Sequence, residues 1–238
     1  MNPRIKSSTR LEEFAMPIER NPDDEPFAAL RRAMVEEQMR ARGIRSERVL
    51  SAMLAVPRHL FVPEVHLDSA YADRPIEIGE GQTVAQPFMV AAMAEALELS
   101  GAEKVLEVGT GSGYSAAVLS LLAAQVYTIE KYPSLAAEAR RRLDELGCHN
   151  VFVYAGDGSA GLQSAAPYSA ISVAAAAAPD VPAPLVDQLA ESGRMVIPVG
   201  NSENQELLLV TKRCGKIDSR RLHYCRFVPL TGRHGFAG

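Results

Sequence analysis

Cysteine is scarce in this chain: Cys148, Cys214 and Cys225 are the only three among 238 residues. An odd number so widely spaced excludes a disulfide scaffold, and with no CxxC or His/Cys cluster no metal site is expected. A reducing, cytoplasmic setting is the simplest expectation. Long apolar runs are also missing. None approaches the roughly 20 residues that cross a bilayer, so no membrane partner is expected. Charge of one sign is lacking too: 29 acidic and 25 basic residues leave a net charge of −4. With no basic block to track phosphates, no nucleic-acid partner is expected. The first 26 residues are polar, carry Pro3, Pro17, Pro22 and Pro26, and lack the apolar core of a secretion signal. They read as a flexible arm. What remains, at 47% hydrophobic and 23% charged, is an ordinary globular composition. The length suits one α/β domain over 27–238, read as a monomer.

The apolar pattern divides that domain. Pro26 opens a helix with Phe27, Leu30, Met34 and Met39 near one face and a stop at Gly43. Ser46 reads as the N-cap of a second helix bearing Val49, Leu50, Met53 and Leu54, ended by Pro57. Residues 27–100 thus form a helical, substrate-side part. From 101 onward strands and helices alternate: strand 104–108, helix 114–124, strand 125–130, helix 133–146, strand 150–154, strand 170–173, helix 181–189 and strand 194–198. That order predicts a doubly wound, mainly parallel sheet with helices on both faces and a ligand beyond the carboxyl ends of its strands. Segments 206–211 and 222–228 lack an intervening helix and read as an antiparallel pair at one edge.

The strongest chemical signal is V-L-E-V-G-T-G-S-G-Y at 105–114. Glycines 109, 111 and 113 let a ligand approach the backbone, and the helix that follows offers free N–H groups. The dinucleotide fingerprint G-x-G-x-x-G fails, because its last position is Tyr114. Two acids follow at strand ends. Glu130 can accept both hydroxyls of a ribose. Asp157 can accept from an exocyclic adenine amine, with Gly156 and Gly158 admitting a flat ring. Glu107 stands beside the loop, where it can hold its shape or meet a cationic ligand. His59 reads as a satisfied structural histidine, and Met89 and Met93 as core.

The glycine loop resembles the first motif of S-adenosylmethionine-dependent methyltransferases. A second segment is more specific: I-G-E-G-Q-T-V-A-Q-P-F-M-V at 78–90 resembles the G-Q-T-I-S-Q-P pattern of protein-L-isoaspartate O-methyltransferases. Further stretches are similar to that family in its order, at 34–43, 56–63, 105–114, 156–158, 193–200 and 226–230, so the resemblance spans about 28–232. It implies an S-adenosylmethionine-dependent methyltransferase fold with N-terminal helices and an antiparallel C-terminal strand pair. It implies methyl transfer to the free carboxylate of L-isoaspartyl residues in damaged proteins or peptides. The ester then closes spontaneously to a succinimide that reopens partly to aspartate. Carried over by position, the cofactor would be held by Gln82, Thr83, Val84, Ala85, Glu107, Gly109, Gly111, Ser112, Gly113, Glu130, Lys131, Asp157 and Gly158. The catalytic positions would be Thr83 and Ala85. No general base is required, because a carboxylate is already ionised at neutral pH.

The chain departs from the family on the acceptor side. Ala85 stands where the family has serine. A lost hydrogen bond to a charged group is worth roughly 1.5–3 kcal/mol, or about 10- to 150-fold in rate if felt wholly in the transition state. Ser169, Ser172 and Ala174 replace the family's aspartate, histidine and glycine. Two alternatives therefore stand beside repair: a carboxyl methyltransferase for another acceptor, such as an aspartate in a dedicated peptide, and a cofactor-binding protein with little catalysis.

Overall fold

The computed structural model describes residues 25–177, 180–201 and 203–236. The expected arm lies outside these residues except for its last two, which open the first helix. That helix, α1 (Glu25–Ala33), passes into a π-helical stretch, Met34–Met39, and a 3₁₀ turn, Arg40–Arg42. The wider turn has a physical consequence. In an α-helix a five-residue step overshoots one turn, whereas i→i+5 closure brings Met34 and Met39 onto one side. Both are fully buried, together with Val35. Leu30 does not join them; it is 47% exposed, against the expected pattern. Helix α2 (Glu47–Ala55) starts as expected at Ser46, whose side chain accepts from Val49 N at 3.4 Å.

A hairpin not foreseen from the sequence comes next, β1 (Ile76–Gly79) with β2 (Gln82–Val84). Its turn residues, Glu80 and Gly81, both have positive φ, as a tight hairpin connection requires. Helix α3 (Pro87–Ala96) follows, with Pro at its first position and Met89 and Met93 buried.

The main sheet contains β3 (Lys104–Val108), β4 (Gln125–Glu130), β5 (Val151–Ala155), β6 (Tyr168–Val173), β7 (Leu189–Gly200), β8 (Gln205–Arg213) and β9 (Lys216–Cys225). Their spatial order is β5-β4-β3-β6-β7-β8-β9. The first five are parallel, and β8 and β9 are antiparallel. The doubly wound fold is therefore as the sequence indicates. Helices α4 (Tyr114–Ser120), α5 (Pro133–Glu145) and α6 (Ala183–Gln188) make the crossovers. The sheet is apolar on both faces. Val105 and Val126 join a core with Met53, Phe61 and Tyr114. Leu106 and Ile129 join another with Tyr168, Leu185 and Met195. Burial of each such side chain contributes roughly 1.5–3 kcal/mol.

Several boundaries move. Helix α4 stops at Ser120 because Ala124 and Gln125 already bond Glu103 O to begin β4. Helix α6 begins at Ala183 and stops at Gln188, and β7 begins at Leu189 rather than 194. The last strand is Lys216–Cys225 instead of 222–228. Its hairpin turns at Cys214 and Gly215, both at positive φ. Residues beyond Cys225 leave the edge because the Gln205 side chain takes both backbone groups of Phe227, accepting from N at 2.6 Å and donating to O at 3.1 Å. The freed chain then runs beside Ala176, with Ala176 N donating to Val228 O and Leu230 N to Ala176 O, both at 2.8 Å. This detour brings the C-terminal segment back over the carboxyl ends of the strands.

Candidate active site

The chain reverses its winding between β3 and β6, and a ligand crevice is expected at such a switch point. A cleft lies there, with about 1040 Å³ of free space including its open mouth. Its walls are the glycine loop after β3, the end of β4, Gly158 after β5, Ala174 and Ala175 after β6, the β2 hairpin strand with the start of α3, and residues 226–231. Of the residues singled out in the sequence, Gln82, Thr83, Val84, Ala85, Gly109, Gly111, Ser112, Glu130, Lys131 and Gly158 line it. Glu107, Gly113 and Asp157 do not.

The glycine loop takes its shape from backbone that other residues rarely adopt. Gly109 and Gly113 have φ of +93°, and a Cβ on Gly113 would press against Ala139 and Leu143 of α5 at 3.4 Å. Behind the loop runs a chain of hydroxyls. Thr128 Oγ1 donates to Glu107 Oε2 at 2.6 Å, so Thr110 is the donor in its own 2.6 Å contact with Thr128. The chain pins Thr110 and holds Glu107 fully buried behind the cleft wall. Burial pushes the Glu107 carboxyl up to about 7, the hydroxyls of Thr128 and Ser115 oppose this, and the Glu130 carboxylate adds to the rise. Glu107 Oε1 and the Ser112 hydroxyl are buried without a hydrogen-bond partner among the described residues. Such orphaned groups are costly unless something else satisfies them.

Glu130 is the organising acid. Its Oε2 accepts from Gly111 N at 2.8 Å and its Oε1 from Tyr132 N at 3.0 Å. A carboxylate accepts about four hydrogen bonds, so about two positions remain for donors in the cleft. Asp157 is differently employed. Its Oδ1 accepts from Ser159 N at 2.9 Å and Ser159 Oγ at 2.6 Å, and its Oδ2 from Arg233 N at 2.8 Å. Partial burial would raise its pKa, but these bonds prevail and hold it below the usual carboxylate range.

The wall formed by β2 and the start of α3 carries few polar groups. Ala85 packs against the apolar core just before α3, and Thr83 and Gln86 flank it in the cleft. The amino end of α3 faces the same space, and its dipole favours an anion there. Phe88 N is already taken by Asp73 Oδ1 at 3.0 Å. Ser172 is buried within β6, and Ala174 N is bonded to Val108 O at 2.8 Å. His59 is a satisfied histidine, with Nδ1 2.8 Å from the Tyr71 hydroxyl and its ring stacked on Phe27 at 4.1 Å. No group of three or more His, Cys, Asp or Glu able to hold a metal occurs among the described residues. Sequence reasoning missed the wall formed by residues 226–231. The stretch at 226–230 was legible as a landmark, but its role depends on the detour from β9 back to Ala176.

With this geometry established, comparison with known proteins is decisive. The model of the protein-L-isoaspartate(D-aspartate) O-methyltransferase family matches residues 29–235. The chain belongs to that family. A protein-L-isoaspartate O-methyltransferase of Koribacter versatilis is 52% identical over 217 residues, covering 91% of this chain and 97% of that protein. One from Geobacter metallireducens is also 52% identical, covering 88% and 97%. Among solved structures, a protein-L-isoaspartate O-methyltransferase superposes with a TM-score of 0.78 at 29% identity, over 86% of this chain and 67% of that one. A Plasmodium falciparum protein described as a putative member, in complex with S-adenosyl-L-homocysteine, gives 0.74 at 25% identity, over 84% and 98%. For a methyltransferase of this family the cleft is of suitable chemistry. It offers a glycine cradle, an acid with open acceptor positions and the orphaned Ser112 hydroxyl, as a cationic ribonucleoside needs.

Proposed function

We propose that this chain transfers a methyl group from S-adenosylmethionine to the free carboxylate of L-isoaspartyl residues in damaged proteins or peptides, a repair reaction. The observation that carries it is a single cleft joining the Glu130 and glycine-loop cradle to the wall bearing Thr83, Ala85 and Gln86. When bound, the cofactor supplies a methyl group on a cationic sulfur. Glu130 would accept the ribose hydroxyls with its open positions. The backbone of Gly109 and Gly111 would lie against the ligand, Ser112 would offer its unused hydroxyl to the amino-acid portion, Glu107 would hold the loop from behind, and Gly158 would border the flat base. Gln82, Thr83, Val84 and Ala85 would line the meeting point of cofactor and acceptor, and Lys131 would border the ribose side. The acceptor carboxylate is anionic at neutral pH and attacks without a base. The protein's contribution is alignment and exclusion of water.

The test is methylation of an isoaspartyl peptide beside its aspartyl twin. Labelling of the first alone is expected; equal labelling of both defeats the selectivity. Ala85 favours a second reading, a different carboxylate as acceptor, and that reading predicts labelling of neither peptide despite cofactor binding. The free cysteines Cys148, Cys214 and Cys225 support a cytoplasmic location. Among the described residues no helix is long and apolar enough to cross a membrane.

A further inference from the structure

Helix α3 begins at the cleft, and its first turn is held from outside the helix. Ala85 and Gln86 precede that turn, and Met89 and Val90 within it also line the cleft. Gln86 stands at the N-cap position, but its side chain makes no cap. Pro87 has no N–H to satisfy. Met89 N and Val90 N donate to Gln86 O at 3.1 and 3.3 Å. The remaining amide of the turn, Phe88 N, donates to Asp73 Oδ1 at 3.0 Å. The cap thus comes from a residue 15 positions upstream. Its negative charge also suits the amino end of a helix.

The loop carrying Asp73 is held in turn by the helical layer before it. Gln38 Nε2 donates to Tyr71 O at 2.9 Å, and the buried Arg58 donates through Nε to Ala70 O at 2.8 Å. Arg42 Nη1 donates to Asp73 Oδ2. The same guanidinium lies over the buried Phe88 ring, 3.8 Å from its centroid. The His223 ring of β9 meets the Phe88 ring edge-on at 5.6 Å. Arg42, Asp73, Phe88 and His223 are not themselves in the cleft wall.

We propose that Asp73 is a positioning residue for methyl transfer: its carboxylate, braced by Arg42, fixes the first turn of α3 and so sets Ala85 and Gln86 at the acceptor end of the cleft. That end has few polar side chains, so its geometry comes from where the backbone is held. A displacement of about 1 Å there can cost about 100-fold in rate. This role rests on the methyl-transfer reading, but the cap itself is measurable without any ligand.

The experiment compares Asp73→Asn with Asp73→Ala in the full chain. Asparagine keeps an oxygen for Phe88 N and turns its NH₂ toward Arg42, so the cap survives and the ion pair does not. Alanine removes both. With S-adenosylmethionine and an isoaspartyl peptide saturating, the single-turnover rate should fall about 10- to 100-fold in Asp73→Ala and stay within about threefold of the parent in Asp73→Asn. Calorimetry should find S-adenosylhomocysteine affinity within about threefold of the parent in both, because the Glu130 cradle is untouched. Hydrogen exchange should show the Phe88 amide protected in the parent and in Asp73→Asn, and exposed in Asp73→Ala. Leu185→Val, in the core on the other face of the sheet, should lower the melting temperature and keep the parent's rate. Four results overturn the proposal: an unprotected Phe88 amide in the parent, a parent-like rate in Asp73→Ala, a rate in Asp73→Asn as low as that expected for Asp73→Ala, or an equal rate loss in Leu185→Val. The first and third decide the matter even if Asp73→Ala does not fold. A parent that binds S-adenosylhomocysteine and labels no isoaspartyl peptide would instead overturn the methyl-transfer reading, and exchange at Phe88 would still decide the cap.

Discussion

At the cofactor end of the cleft, Glu130 orders the glycine loop through Gly111 N and the turn after β4 through Tyr132 N, and the hydroxyls of Thr110 and Thr128 lock the loop from behind. At the acceptor end the wall is Thr83, Val84, Ala85 and Gln86 beside Ala174 and Ala175, with a methyl group where the family carries a hydroxyl. The difference follows from what each end must do. A cofactor bound before reaction rewards fixed donors and acceptors. A carboxylate nucleophile gripped too strongly would lose reactivity, because interactions equal in ground and transition states do not raise the rate of the chemical step. A sparse acceptor end is therefore compatible with transfer, provided the cofactor end holds the methyl group in place.

The contrast can be broken most severely at Glu130. Glu130→Ala removes an acceptor from two backbone amides and, on the proposed reading, from the ribose, and should weaken S-adenosylhomocysteine binding about 100-fold or more. Calorimetry would detect this directly; a loss below threefold would mean that the acid does not organise that end. Glu107 should produce an effect of similar size on stability. Its folded pKa of about 7 lies above the ordinary 4.5, so the folded protein holds that proton more tightly than the unfolded chain. The resulting stability is complete below about 4.5 and is lost as pH rises to about 7, a change of about 3 kcal/mol. Urea unfolding at pH 5 and pH 8 should show this loss in the parent, and Glu107→Gln should flatten the difference. An unchanged difference would place the titration elsewhere. The smallest effect belongs to the acceptor end. Ala85→Ser should raise kcat/KM for an isoaspartyl peptide by about 10-fold and leave S-adenosylhomocysteine affinity within about twofold. A fall in kcat/KM would show that the wall is shaped for a different carboxylate.

The glycine loop, the acid ending β4 and the strand–helix alternation were legible in the sequence because each depends on nearby residues. Glycines 109, 111 and 113 announce unusual backbone, and the apolar runs of β3 to β6 announce strands covered on both faces. The β1–β2 hairpin was missed because its strands are short and half-buried, and its turn carries Glu80 at a positive φ usually left to glycine or asparagine. The last strand was placed too late because 216–221 is charged and exposed, as an edge strand can be, and offers no apolar alternation to read.

By itself, then, the sequence determined the doubly wound fold, the cradle and the family, since hydrophobic period, turn chemistry and motif spacing are properties of adjacent residues. Only the tertiary structure decided that residues 226–236 turn back over the cleft and that the Asp157 carboxylate meets the amide of Arg233. Those contacts join groups 76 positions apart in the chain. They exist because Gln205 detaches Phe227 from the sheet edge and Ala176 receives the strand that follows, a meeting that no local pattern encodes.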